Sequence, residues 1–136
     1  MFSIPIRVYY EDTDAGGVVY YANYLKYIER ARTEFLRAAG YDQSELGRKI
    51  GVQFVVRSAS LDLKKPARLD DQLDVTCEVA NYGRASLLFE QQVMRHTNEA
   101  LPALLCAATI KIACVDIETF RPSAIPGELF NAINIK

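Results

Sequence analysis

The chain has 136 residues, 50% of them hydrophobic and 24% charged, with a formal net charge of −1. It is long enough for one domain with its own core, too short for two ordinary ones, and too apolar for a disordered polymer. Basic and acidic residues are interleaved, which excludes broad attraction to nucleic acid or to an anionic membrane surface. Cys77, Cys106 and Cys114 lie inside apolar runs without CxxC spacing. That pattern fits buried thiols in a reducing compartment and argues against a disulfide frame or a zinc site. Met1 to Tyr10 carries Arg7 and no long apolar run, so it does not read as a signal peptide, and the apolar run around Leu101 to Ala108 is far short of a membrane span. The expectation is a cytoplasmic protein with no stable membrane insertion.

Along the chain, Phe2 to Tyr10 alternates as a strand, with Ile4, Ile6 and Val8 on one side and Arg7 and Tyr9 on the other. An Asp-Gly loop breaks it. From Val18 to Ala39, Tyr21, Tyr24, Leu25, Ile28, Ala31, Phe35 and Ala38 recur at helical spacing, with Lys26, Arg30, Thr33 and Arg37 opposite. Gly40 stops that helix. A shorter helix over Gln43 to Arg48 is capped by Asp42. After Gly51 the period becomes two: one strand reaches towards Lys64, Pro66 and Asp70-Asp71 mark a turn, and Leu73 to Val79 alternates cleanly. Asn81-Tyr82-Gly83 is a hairpin signal before a strand over Ala85 to Arg95. His96-Thr97-Asn98 is a further turn. Ala103 to Val115 is nearly continuous in apolar character, as for a central strand covered on both faces. A short helix near Gly127 to Ala132 follows. The expected class is α+β, five antiparallel strands with one long helix on one face.

The chemistry concentrates in Tyr10-Glu11-Asp12-Thr13-Asp14-Ala15-Gly16-Gly17-Val18-Val19-Tyr20, which delivers carboxylates to the mouth of a helix. First-turn amides have no intrahelical partner, and the helix dipole adds roughly half a positive charge there. An anionic oxygen is the natural guest. Asp12-x-Asp14-x-Gly16 also mimics the opening of a calcium loop, but the late bidentate Glu would fall on Asn23, so no metal site is expected. Tyr20, Tyr21, Tyr24 and Tyr27 form an aromatic cluster, either pocket lining or core. Asn23 is placed to bond the loop backbone. His96, the only histidine, sits in a polar turn, and Ser58, Ser60 and Ser86 have no triad context.

The run Val8 to Tyr24 followed by Glu29-Arg30-Ala31-Arg32-Thr33-Glu34 closely resembles the hotdog-fold acyl-CoA thioesterases of the 4-hydroxybenzoyl-CoA thioesterase superfamily. It is most similar to the YbgC-type proteins associated with the Tol–Pal system. Pro66-Ala67-Arg68-Leu69-Asp70-Asp71 is similar to a second family segment. The resemblance implies a hotdog fold, a five-stranded antiparallel sheet wrapped around one long central helix. It also implies edge-to-edge pairing into a homodimer, often a homotetramer, with active sites at the dimer interface. The family's catalytic carboxylate falls on Asp14 and its oxyanion donor on the backbone N–H of Tyr21. Gly17, Val18, Tyr20 and Asn23 are the substrate-facing positions around them. Many YbgC-type members carry His where this chain has Tyr21; the amide role survives that change.

The implied reaction is hydrolysis of an acyl-CoA, short- to medium-chain or aromatic, to the free acid and coenzyme A. No cofactor is expected, coenzyme A being part of the substrate, and an acyl carrier protein is the other candidate thiol. Asp14 either attacks the carbonyl or deprotonates the attacking water, the second route being preferred. Arg57, Lys64, Lys65, Arg68 and Arg84 are candidate cations for the phosphates, with Arg84 the first choice. A hotdog-fold dehydratase, which needs a catalytic histidine, fits this chain poorly. A non-catalytic acyl-CoA or acyl carrier protein binding module would not require Asp14.

Overall fold

The structure, a computed structural model, describes residues 1–97 and 101–134, so Asn98 of the expected turn lies outside the described residues. The elements are β1 (Phe2–Arg7), a 3-10 turn (Tyr10–Asp12), α1 (Tyr21–Ala38), α2 (Gln43–Glu45) with a π-type turn (Leu46–Ile50), β2 (Val52–Leu63), β3 (Gln72–Tyr82), β4 (Ser86–Arg95), β5 (Ala103–Asp116) and α3 (Gly127–Asn134). All five strands form one antiparallel sheet in the order β1-β3-β4-β5-β2. The 18-residue α1 packs on β1, β3 and β4. This is the hotdog architecture that the resemblance implies, with the helix displaced towards the β1 side of the sheet and a recess left beside it near β2.

Several boundaries move: the helix expected over Gln43 to Arg48 keeps α-form only to Glu45 before the π-type turn, β3 runs on to Tyr82, and the two boundaries next to the Asp14 loop move for identifiable reasons. β1 stops at Arg7 because the backbone beyond Val8 turns: Tyr9 N–H donates to Asp12 Oδ2 at 2.9 Å and Asp12 N–H returns to the Tyr9 carbonyl at 3.0 Å. The helix begins at Tyr21 rather than Val18 because Val18 and Val19 are spent on extended pairings, with Arg68 and Thr13 respectively. Its C-terminus closes as anticipated. Gly40, at φ 96°, donates to Arg37 O, and Tyr41 N–H donates to Leu36 O, the two bonds of a Schellman motif. Asp42 caps α2 through the Ser44 amide at 2.8 Å.

The buried stripe of α1 is rotated from the one expected. It comprises Asn23, Tyr24, Tyr27, Ile28, Ala31, Arg32, Phe35 and Leu36, whereas Tyr21 and Leu25 are 57% and 40% exposed and Ala38 is also exposed. Two polar side chains therefore lie on the helix face that meets the sheet. β5 also departs from expectation. Cys106, Ala108, Ile110, Ile112 and Cys114 are buried, but Thr109 on the other face is exposed and Ala107, Lys111 and Ala113 are half-buried. No helix layer covers that face, and small alanines produced the apolar continuity of the run.

Burial pushes the Cys77 thiol up to about 12 and the Cys106 thiol up to about 11, so neither is a nucleophile at neutral pH. The core centres on Phe35, which meets Phe2 and Phe89 edge-on at 5.6 and 5.8 Å between ring centroids. Phe89 is 1% exposed. Replacing it by alanine leaves a cavity between helix and sheet, and the expected loss is about 3–5 kcal/mol in equilibrium denaturation by urea.

Candidate active site

Asp14 sits at the head of a tight hairpin between the 3-10 turn and α1. Its N–H donates to Val18 O at 2.9 Å, Gly17 N–H donates to Asp14 O at 3.0 Å, and Thr13 pairs with Val19 just below. The carboxylate folds over the turn, Oδ1 accepting the Gly16 N–H at 2.8 Å. A Cβ on Gly16 would come within 3.3 Å of that oxygen. The chain then enters α1 at once. Tyr20 holds the extended N-cap position with no side-chain cap, and the Tyr21 and Ala22 amides have no acceptor among the described residues. An exposed carboxylate thus leads directly into an uncapped helix N-terminus whose amides are free to donate to an anionic oxygen.

Asp12 carries the scaffold of this arrangement. Its carbonyl accepts Tyr20 N–H at 3.1 Å and Asn23 Nδ2 at 2.7 Å, while its carboxylate holds Tyr9 N–H. Asn23 is accordingly 9% exposed and bonds the loop backbone, as anticipated from its place in the sequence. The tyrosine cluster divides. Tyr24 and Tyr27 belong to the core, Tyr24 accepting the Ala67 N–H at 2.9 Å through its hydroxyl. Tyr20 and Tyr21 are exposed with ring centroids 4.8 Å apart. The Tyr27 hydroxyl is enclosed without a hydrogen-bond partner among the described residues. Burial, and after it the Asp12 carboxylate, push its pKa well above the ordinary value.

The segment from Pro66 to Asp71 straps the loop in place. Val19 N–H donates to Ala67 O at 2.8 Å and Val18 pairs with Arg68. The strap is clamped by Arg95, whose Nε meets Asp71 Oδ2 at 2.9 Å and whose Nη2 donates to Pro66 O at 2.8 Å. Arg95 was not among the expected site residues. The signal for it is the inward alternation Leu87, Phe89, Gln91, Val93, Arg95 on β4, where a charged residue at an inward position needs a partner.

The expected cations separate into two groups. Lys65 and Arg68 lie beside the loop, Lys65 lining a cleft of about 220 Å³ with Val19, Tyr21, Tyr24, Leu63, Lys64 and Pro66. Lys64 is tied to Asp62 at 2.9 Å. Arg57 and Arg84 are elsewhere in the protomer. Arg57 occupies the bulge between Val56 and Ser58 on β2. Arg84 stands on the β3–β4 hairpin, at the other end of the 11-residue β3 from Gln72, which faces the loop side; at about 3.3 Å per residue the separation is roughly 33 Å. His96 pairs with Asp74 at 3.2 Å on the sheet face away from α1. Gly17 has φ +79° with open space where a Cβ would stand. Gly17→Ala is therefore expected to lose about 1–2 kcal/mol through backbone strain alone in thermal or urea unfolding, and Gly17→Asn less.

Comparison with known proteins agrees with this fold. The family model for the thioesterase-like superfamily matches residues 8–133. The acyl-CoA thioesterase YbgC of Haemophilus influenzae is 48% identical over 128 residues, covering 94% of this chain and 90% of that protein. The acyl-CoA thioester hydrolase YbgC of Escherichia coli is 44% identical over 126 residues, covering 93% and 90%. Among solved structures, a 1,4-dihydroxy-2-naphthoyl-CoA thioesterase from Synechocystis superposes with a TM-score of 0.88 at 22% identity, covering 98% of this chain and 95% of that one. A 4-hydroxybenzoyl-CoA thioesterase complexed with 4-hydroxybenzoyl-CoA gives 0.87 at 20% identity, covering 98% and 99%. At those identities the structural likeness carries the fold, while the sequence matches carry the kinship. The chain belongs to the thioesterase-like superfamily, in the branch of the YbgC-type acyl-CoA thioesterases.

Proposed function

We propose that this protein hydrolyses acyl-CoA thioesters to the free acid and coenzyme A, with Asp14 as general base towards the attacking water. The observation that carries the reading is the continuity of the Asp14 turn with the uncapped start of α1. The carbonyl oxygen of the thioester sits against the Tyr21 amide, and the tetrahedral oxyanion is met by donors that are already oriented. The departing thiol has a pKa of about 8.5, so its thiolate leaves without a strong general acid. This suits a site that has no histidine. Gly17 and Val18 form the floor of the turn, and Tyr20 offers an exposed ring to a short- to medium-chain or aromatic acyl group. Lys65 and Arg68, beside the loop in the same protomer, are offered to the phosphates of coenzyme A, or of an acyl carrier protein's prosthetic arm. No cofactor has a part in this scheme.

The working unit in this reading is a homodimer built through β2. Among the described residues that strand pairs only with β5, so its other edge is open over 12 residues, with Val56 and Leu63 each more than half exposed. A long open edge of this kind is a template for a second strand. Antiparallel pairing of two β2 strands reverses direction, and so turns the Arg57 and Arg84 end of one copy towards the Lys65 end of the other. The two distant cations then join the site across the dimer, which is how a protomer that separates them can still use them.

Thiol release from a panel of acyl-CoAs tests the chemistry. Asp14→Asn is expected to lower kcat by about 10²–10⁴ with its unfolding midpoint kept near that of the wild type; undiminished release by the folded variant refutes the base role. Ala59, exposed in the middle of β2, tests the assembly. Ala59→Asp is expected to shift sedimentation from dimer to protomer and to reduce kcat/KM about tenfold or more by placing like charges in the paired edge. A fully active protomer overturns the interface assignment.

A further inference from the structure

Arg95 is the last residue of β4, and its side chain is 27% exposed beside that of Asp71 at 21%. One edge of its guanidinium serves two acceptors in different parts of the Pro66 to Asp71 segment. Nε meets Asp71 Oδ2 at 2.9 Å, and Nη2 donates to Pro66 O at 2.8 Å. The same Asp71 oxygen accepts the Arg68 N–H at 2.9 Å, and the Asp71 N–H returns to Arg68 O at 3.0 Å. With both charges largely covered, these are charge-assisted bonds with which water competes weakly.

Together they hold two successive peptide groups at both ends. In the first, Pro66 O takes Arg95 Nη2 while the Ala67 N–H donates to the Tyr24 hydroxyl of α1 at 2.9 Å. In the second, Ala67 O takes the Val19 N–H at 2.8 Å while the Arg68 N–H is held by Asp71. Ala67 is fully buried, so a backbone group released there finds no water in exchange. A cation at one end of a peptide group polarises it and strengthens the bond at its other end. Burial raises the Tyr24 pKa, but the Ala67 amide and Arg95 pull it down, so the Arg95 charge is felt at that hydroxyl. Arg95 thus acts at one remove on two points that flank the start of α1. Tyr24 lies in the first turn of the helix, three positions after Tyr21. Val19 lies between Asp14 and Tyr21, next to the Val18 carbonyl that takes the Asp14 N–H at 2.9 Å.

We propose that Arg95 is a positioning residue: through Pro66, Ala67 and Arg68 it fixes where the Asp14 turn and the Tyr21 amide stand relative to each other. Its effect on rate rests on the hydrolysis proposed above, whereas the bonds themselves are made within one protomer. A misplacement of about 1 Å between reacting groups costs about 10²-fold in rate. Lysine at position 95 keeps the charge, but a single ammonium on a flexible stem cannot bridge Asp71 and Pro66 as a rigid fork does. Asp71→Asn keeps the shape of the other partner and removes its charge. Both variants are compared with the wild type for thiol release from a panel of acyl-CoAs, for unfolding midpoint, and for the 15N–1H resonances of Val19 and Tyr21. In each, kcat is expected to fall about ten- to a hundredfold with KM little changed, and the two amide resonances to move. The double variant should be no slower than the slower single one, because the two residues act as a unit. A role confined to stability gives the opposite result, a lower unfolding midpoint with kcat per folded molecule kept. The proposal fails if the folded variants turn over at the wild-type rate, or if Val19 and Tyr21 keep their wild-type resonances. Should the wild type release no thiol from any acyl-CoA, it is the hydrolysis that fails, and the amide resonances alone then decide the positioning.

Discussion

Backbone satisfaction around Asp12 is the constraint on which the site depends. A connection between a strand and a helix must find partners for amides and carbonyls that neither element serves. Here one residue supplies three of them: the Asp12 carbonyl takes the Tyr20 amide and the Asn23 side chain, and its carboxylate takes the Tyr9 amide. With those bonds in place, the hairpin carrying Asp14 has a fixed root, and the helix starts at Tyr21 with its first amides unspent. The two aspartates of the motif therefore divide the labour. Asp12 is structural, and its restraint is what allows Asp14 to stay exposed with a defined direction.

The same economy governs the interior. Among the described residues three polar side chains, Asn23, Arg32 and Gln91, are buried. Asn23 and Gln91 are satisfied by backbone carbonyls, and each thereby joins distant parts of the chain: helix to loop, and β4 to both α1 and β3. Arg95 does likewise at the sheet end, where its bonds to Asp71 and Pro66 hold the strap against the loop. Each costs hydrophobic contact, but fixes a register that apolar packing alone would leave loose.

The position of the helix explains how the sheet is used. Because α1 lies over β1, β3 and β4, the recess beside it and the open edge of β2 fall on the same side of the molecule. β1, the other edge, is short, and its chain is drawn away at Arg7 into the Asp12 turn. A long open strand at one end and a shortened one at the other make the protomer asymmetric in its capacity to pair.

Much was legible without coordinates because it is local. Strand alternation, the glycine stop at Gly40, the Asp42 cap and the carboxylate–glycine turn each depend on neighbours within a few positions, where side-chain period and turn chemistry act directly. The long motif from Val8 to Tyr24 also placed the chain in its family. Tertiary structure decided what separated residues do to one another. Val18 and Val19 look like helix but are held extended by the strap from Ala67 and Arg68. Arg57 and Arg84 are candidate cations for the coenzyme A phosphates but stand towards the far end of the sheet, because proximity along β2 and β3 is set by strand direction. Arg32 stands in the sequence among several helical cations. Only the angle at which α1 meets the sheet turns it inward, since helical period defines which residues share a face and not which face the core selects.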